Sequence, residues 1–251
     1  TKRFQVDVRR GIASDPHQEG IWDAILINDI RPSLNNRRRH LVITSERGGY
    51  LSFWSCNGIK HDDEAAQLVQ RVAMLNDTGD HIHEEPKSLL LINSHEDEYC
   101  AISIFNEKLI KAWKFNVSDD DDDIKIDIQD LRENVEPLAH ISSIHKISTI
   151  DSFTSNNLVS IIDEKGTLRI LSTHFDNSKV YWKELKKIHT NISNASKIHG
   201  SSIIKRFAIV DEKGSKLTIW DTKSGILEYE EELPKNYGPV RDLDWTFVES
   251  T

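Results

Sequence analysis

Four stretches of the chain carry side chains that could do chemistry. "HDDE" at 61–64 and "HIHEE" at 81–85 set imidazoles beside carboxylates, donors that zinc and other divalent ions accept. No cysteine joins them and their spacing fits no ligand pattern, so both are read as polar insertion, and no metal is expected. The five aspartates 119–123 could attract calcium or a basic partner, but they lack the glycine and the spaced ligands of a calcium loop. They are expected to form a solvated acidic insertion. "NNRRRH" at 35–40 is the most concentrated basic site, and it places Arg37, Arg38 and Arg39 at the tip of a loop between expected strands. A guanidinium suits carboxylate and phosphate contacts, so these three arginines are the candidate partner-binding residues.

Catalytic signatures are missing from the sequence. There is no Gly-x-Ser-x-Gly elbow, no Gly-x-x-x-x-Gly-Lys loop and no Gly-x-Gly-x-x-Gly fingerprint. His140, His145 and His199 fall in expected strands, where a histidine bonded to backbone or packed at a sheet edge is the ordinary outcome. The chain is therefore read as a non-enzyme with no catalytic residue and no cofactor.

The bulk composition narrows the partners. With 32 Lys and Arg against 41 Asp and Glu, the net charge of −9 argues against a nucleic-acid binder that works by neutralising phosphates. Two cysteines, Cys56 and Cys100, are too few for a disulfide framework and suit a reducing compartment, so the cytoplasm is expected. The 251 residues, 37% of them hydrophobic, can bury a sizeable core, and one large β domain fits as well as two small ones. Apolar runs are short, "LLLI" at 89–92 being typical, so no stretch has the length to span a bilayer as a helix. The opening "TKRFQVDVRR" has no apolar signal segment, and the start at Thr1 and end in "DWTFVEST" point to a piece of a longer polypeptide.

The elements that would position these residues emerge from an internal repeat. "ITSERGGYLSFWSC" (43–56) aligns without a gap to "IVDEKGSKLTIWDT" (209–222), matching Gly48 to Gly214 and Trp54 to Trp220. "SIIDEKGTLRILST" (160–173) repeats the turn one residue tighter around Gly166 and carries Leu171 where the others have tryptophan; "AISIFNEKLIKAWKF" (101–115) ends on Trp113. An apolar strand runs into Asp-Glu-Lys-Gly, turns, and returns to an aromatic residue, which is a hairpin.

Further β segments are expected at 20–29, 137–147, 191–201, 180–188 and 225–233, giving four antiparallel strands per unit. The terminal positions 54, 113, 171 and 220 recur at intervals of 59, 58 and 49 residues, longer than the ~40–45 of a WD-repeat blade. Inter-blade insertions are therefore expected at about 59–86 and 116–136, with "EAAQLVQRVAML" (64–75) as an amphipathic helix. The fold class is all-β: residues 1–251 as part of a WD-repeat β-propeller, about four blades plus the first strand of another at "GPVRDLDW". Trp54, Trp113, Gly166, Leu171, Gly214, Trp220 and Asp221 are the blade residues, with the tryptophans wedging neighbouring sheets.

"LTIWDTKSGILEYEEELPKNYGPVRDLDWT" (217–246) resembles the WD-repeat region of the large subunits of the RAVE complex, the regulator of vacuolar proton-ATPase assembly, whose animal relatives are the rabconnectins. The resemblance covers about thirty residues; "SCNG" after Trp54 and the leucine at 171 depart from the repeat. It implies a scaffold that helps the peripheral sector of the pump rejoin its membrane sector. Its partners would be peripheral-sector subunits, the smaller RAVE subunit and the adaptor Skp1, met in the cytoplasm and on vacuolar or endosomal membranes. The alternatives are an unrelated WD-repeat adaptor, such as a ubiquitin-ligase receptor or a coat subunit, and a propeller hydrolase.

Overall fold

A computed structural model describes residues 20–30, 39–57, 67–76, 78–95, 98–120, 123–131, 135, 137–138, 141, 144–153, 157–176, 179–201, 204–234, 236, 238–240, 243 and 245. Among these residues there are sixteen strands and no α-helix. The first sheet runs β1 (Ile21–Ile30), β2 (Arg39–Glu46), β3 (Tyr50–Asn57), β4 (Gln67–Ala73), and the second β5 (Ser88–His95), β6 (Glu98–Ile104), β7 (Ile110–Asp120), β8 (Asp123–Asp130). The third runs β9 (Ile147–Phe153), β10 (Leu158–Asp163), β11 (Thr167–Asp176), β12 (Lys179–His189), and the fourth β13 (Lys197–Ser201), β14 (Arg206–Val210), β15 (Lys216–Asp221), β16 (Leu227–Glu232). Each is a meander of four consecutive antiparallel strands, the blade unit of the partial propeller read from the repeat. The chain divides into two compact units: residues 1–105 with 111–132 hold the first two sheets, and 106–110 with 133–251 the last two.

The middle strands are buried on both faces, as their short apolar runs require. β6 and β10 end in five consecutive buried residues, whereas β12 alternates over its first four residues and β16 is exposed throughout. In the first unit Phe53 of β3 meets Phe115 of β7 edge-to-face at 5.1 Å. In the second unit Ile162, Leu168 and Ile188 of the third sheet share one core with Ile198, Phe207, Ile209 and Trp220 of the fourth.

An aspartate ties the innermost strands in both units. Asp23 of β1 accepts the Leu89 N–H of β5 at 3.0 Å, and Asp151 of β9 accepts the Gly200 N–H of β13 at 2.8 Å. A carboxylate accepting a backbone N–H makes a charge-assisted bond, so these ties hold sheet to sheet with direction as well as apolar contact.

Several expectations are corrected. Residues 67–73, expected as part of a helix, are the outer strand β4, and the reason is a bulge. Leu68 faces Trp54, Val69 is the extra residue, and Gln70 faces Phe53. One inserted residue breaks the period of two and makes the apolar spacing look helical. The supposed insertion at 116–136 supplies the end of β7 and all of β8, so the aspartate run falls at their hairpin, with Asp120 facing Asp123. The innermost strand of the third sheet is β9 rather than the segment beginning at 137, and His145 precedes it. The segment expected to open a fifth sheet carries no strand at Gly238, Pro239, Val240, Leu243 or Trp245. It is held instead by the Val240 N–H on the Gly214 carbonyl, 3.0 Å, and the Trp245 indole on the His199 carbonyl, 3.4 Å.

Candidate interaction surface

Three of the sheets turn from second to third strand in the same way. The N–H of Gly49, Gly166 and Gly214 donates to the carbonyl of Glu46, Asp163 and Asp211, at 3.0, 2.9 and 3.0 Å. These glycines lie at φ of 77°, 78° and 67°, the left-handed region that side chains disfavour. Each is also covered: a Cβ would stand 2.8 Å from the Ile82 carbonyl oxygen, 2.7 Å from that of Ile192 and 2.7 Å from Pro239 Cβ. In the first sheet the turn glycine is Gly49, one residue beyond the Gly48 that ungapped alignment selects.

The acids of these turns fix the loops from within. Asp163 takes the N–H groups of Lys165 and Thr167 on one oxygen and the Arg169 guanidinium, 3.2 Å away, on the other. Arg169 continues to Glu184 of β12 at 3.0 Å, and both Asp163 and Arg169 are almost fully buried. In the first sheet Glu46 meets Arg71 of β4 at 2.8 Å, and that guanidinium lies 3.7 Å over the Tyr50 ring. In the fourth, Asp211 accepts from Ser215 and Lys216 backbone and from the Ser215 hydroxyl. Burial pulls its pKa upward, but these donors outweigh that and hold it below the ordinary carboxylate value. The sequence reading did not single out Arg169; its signal was a lone charge inside the apolar run "TLRIL".

The blade-ending positions share a second feature. Trp54, Leu171 and Trp220 each border a bulge in the outer strand, whose extra residues are Val69, Leu185 and Glu228. Trp54 donates its indole N–H to Thr44 and Trp220 to Thr218, at 2.9 and 3.0 Å. Trp220 is stacked with Phe207 at 6.3 Å inside the core shared by the third and fourth sheets. Trp113 is buried on β7, but its strand pairs with β8 without a bulge. Asp221 closes the next turn with the N–H and hydroxyl of Ser224, which hold its carboxyl below the usual range.

Arg37 and Arg38 lie outside the described residues; Arg39 starts β2, paired with Asn57 of β3 and Ile30 of β1, so the structure describes no loop-tip cluster. "HDDE" at 61–64 also lies outside them. In "HIHEE", His81 packs edge-on against Tyr50 at 4.9 Å and stands 3.3 Å from the Gly48 carbonyl, so that histidine serves the turn. Among the described residues no group of three or more His, Cys, Asp or Glu side chains is placed to hold a metal ion. Burial, helped by Glu98, pushes the Cys100 thiol up to about 12, which keeps it protonated and inert at neutral pH. Ser172 and His174 form a 2.8 Å hydroxyl–imidazole pair on β11, but the ring is stacked on Tyr181, and no carboxylate meets its other nitrogen among the described residues.

What the surface offers is its outer rim. β12 presents Lys179, Lys183 and Lys187 with Tyr181 and Leu185, all exposed, and β16 presents Glu228, Glu230, Glu231 and Glu232 with Leu227 and Tyr229. Rigid sheets edged with charge and apolar side chains are suited to binding other polypeptides.

Comparison with known proteins gives the chain's relatives. The family described as "RAVE protein 1 C terminal" matches residues 166–251. The chain is 32% identical over 223 residues to "Regulator of V-ATPase in vacuolar membrane protein 1" of Saccharomyces cerevisiae, covering 83% of the chain and 15% of that protein. It is also 32% identical over 108 residues, 42% of the chain and 8% of the relative, to the protein of the same name in Schizosaccharomyces pombe. The chain thus spans less than a sixth of the length of these curated relatives.

Proposed function

Because the chain belongs to the family of RAVE large subunits, we propose that it is a WD-repeat portion of a non-enzymatic scaffold that regulates the vacuolar proton-ATPase. The scaffold promotes reassembly of the pump's peripheral and membrane sectors, and binding energy rather than bond chemistry does the task. Its partners are peripheral-sector subunits, the smaller RAVE subunit and Skp1, and its work is done in the cytoplasm and at vacuolar or endosomal membranes. No helix among the described residues is long and apolar enough to cross a membrane, which is compatible with peripheral recruitment.

The observation that carries this reading is the 32% identity to a named regulator of the V-ATPase across 83% of the chain. The test is a segment swap. Yeast cells whose own regulator carries this chain in place of its matching segment should acidify their vacuoles and hold the peripheral sector on vacuolar membranes. Normal amounts of chimera with an alkaline vacuole and a detached sector would count against the proposal.

A further inference from the structure

The outer edge of the fourth sheet is an open strand. The sheet order places β16 last, all six of its residues are exposed, and among the described residues nothing pairs with its outer side. The Leu233 N–H donates to the Ser215 carbonyl at 2.7 Å, which fixes the hydrogen-bonding phase of the ladder. Because paired and unpaired residues alternate along an antiparallel edge, Tyr229 and Glu231 bond to β15 while the N–H and C=O of Glu230 and Glu232 point outward. Such edges are guarded by charged side chains, proline, bulges or a covering segment; β16 has glutamates and the bulge at Glu228, so a strand that joins it has to bring the opposite charge. Here the strand reads "LEYEEE", and Ile226, Leu227 and Tyr229 stay 64%, 39% and 46% exposed.

The third sheet shows the same edge in use. Its outer strand β12 carries Lys179, Lys183, Lys186 and Lys187, and Val135 bridges Val180 in parallel. At that point the outer side of β12 takes a second segment of the chain. The fourth sheet has the opposite charge and no such segment among the described residues.

We propose that the outer edge of β16 binds an extended, lysine- or arginine-rich segment of a partner protein by strand addition. The outward amides and carbonyls of Glu230 and Glu232 continue the ladder; on one face Glu232, and Glu230 in exchange for its 2.7 Å partner Lys216, take the incoming basic side chains, and on the other Tyr229 receives an apolar residue. The inference deepens the scaffold reading and rests on it, since it names the chemistry of one partner.

The test titrates the whole 251-residue chain, followed by fluorescence anisotropy, with short labelled peptides that alternate valine with lysine or valine with glutamate. The lysine peptide should bind saturably and the glutamate peptide should not. A lysine peptide N-methylated at alternate backbone nitrogens keeps its charge but cannot join a ladder, and its affinity should fall about tenfold or more. Glu230→Pro removes one outward donor without touching the β15 ladder and should weaken the lysine peptide several-fold. Absence of saturable binding, or equal binding of the N-methylated peptide, would overturn the inference. Either result alongside an acidified vacuole in the segment-swap strain would overturn it alone and leave the scaffold reading in place.

Discussion

The turns at 163–167 and 211–216 begin with the same four residues, Asp-Glu-Lys-Gly, yet they are fastened differently. In the third sheet the aspartate is buried and its second oxygen meets Arg169; in the fourth the aspartate is partly exposed and its second oxygen meets the Ser215 hydroxyl. Two sequence differences account for the change: the extra residue Ser215 brings a hydroxyl to the aspartate, and Thr218 stands where the third sheet has Arg169, counted from the matching N–H bonds of Thr167 and Lys216. The lesson is that a repeated turn signature fixes the backbone but not the electrostatics beneath it.

The comparison can be broken most strongly at Arg169. Arg169→Ala leaves Asp163 buried without its counter-charge and should cost about 3–5 kcal/mol in urea unfolding. Arg169→Met paired with Asp163→Asn should recover much of that loss, because the desolvated charges then leave together. Next comes the glycine pair. Gly166→Ala forces a Cβ against the Ile192 backbone as well as into a left-handed conformation, and a cost of about 1–3 kcal/mol is expected. Gly214→Ala meets Pro239 Cβ at 2.7 Å and the Val240 backbone nitrogen at 2.9 Å, also in a left-handed conformation, so a loss of similar size is expected, and a negligible one would show that this turn is not closely covered.

A smaller effect belongs to Asp211. Its pKa is depressed in the folded protein, so its contribution is present above the unfolded carboxylate value, about 3.9, and is lost as pH falls through the folded value. Asp211→Asn should flatten that acid limb of the stability curve: the variant is less stable than the parent at neutral pH, and the difference shrinks as pH falls, as measured by unfolding between about pH 2 and 7. Least of all is expected from Arg206→Ala, which removes an exposed pair with Glu228: thermal unfolding should be unchanged within error.

The same contrast explains how much of the fold was legible beforehand. The hairpins around Gly166 and Gly214 could be read because each turn is local: an aspartate that bonds back and a glycine with positive φ act over a few residues. The strand at 67–73 could not, since the bulge opposite Phe53 and Trp54 shifts its apolar phase and only pairing with β3 reveals the extra residue. The aspartates 119–123 read as an insertion because their charge hides an outer hairpin whose two strands pair with each other. For the candidate surface, composition located glutamates and lysines but not which strand would be left at an edge.

By itself the sequence determined that this chain is all-β, built from repeated hairpins, with its blade-ending tryptophans and its likeness to a proton-pump regulator. Tertiary structure alone decided the bulges, the burial of Arg169 between Asp163 and Glu184, the aspartate ties from Asp23 and Asp151, and the open edge at β16. The physical reason is range. Turn chemistry acts between residues a few positions apart, whereas pairing register and burial depend on strands that the chain brings together only when it folds.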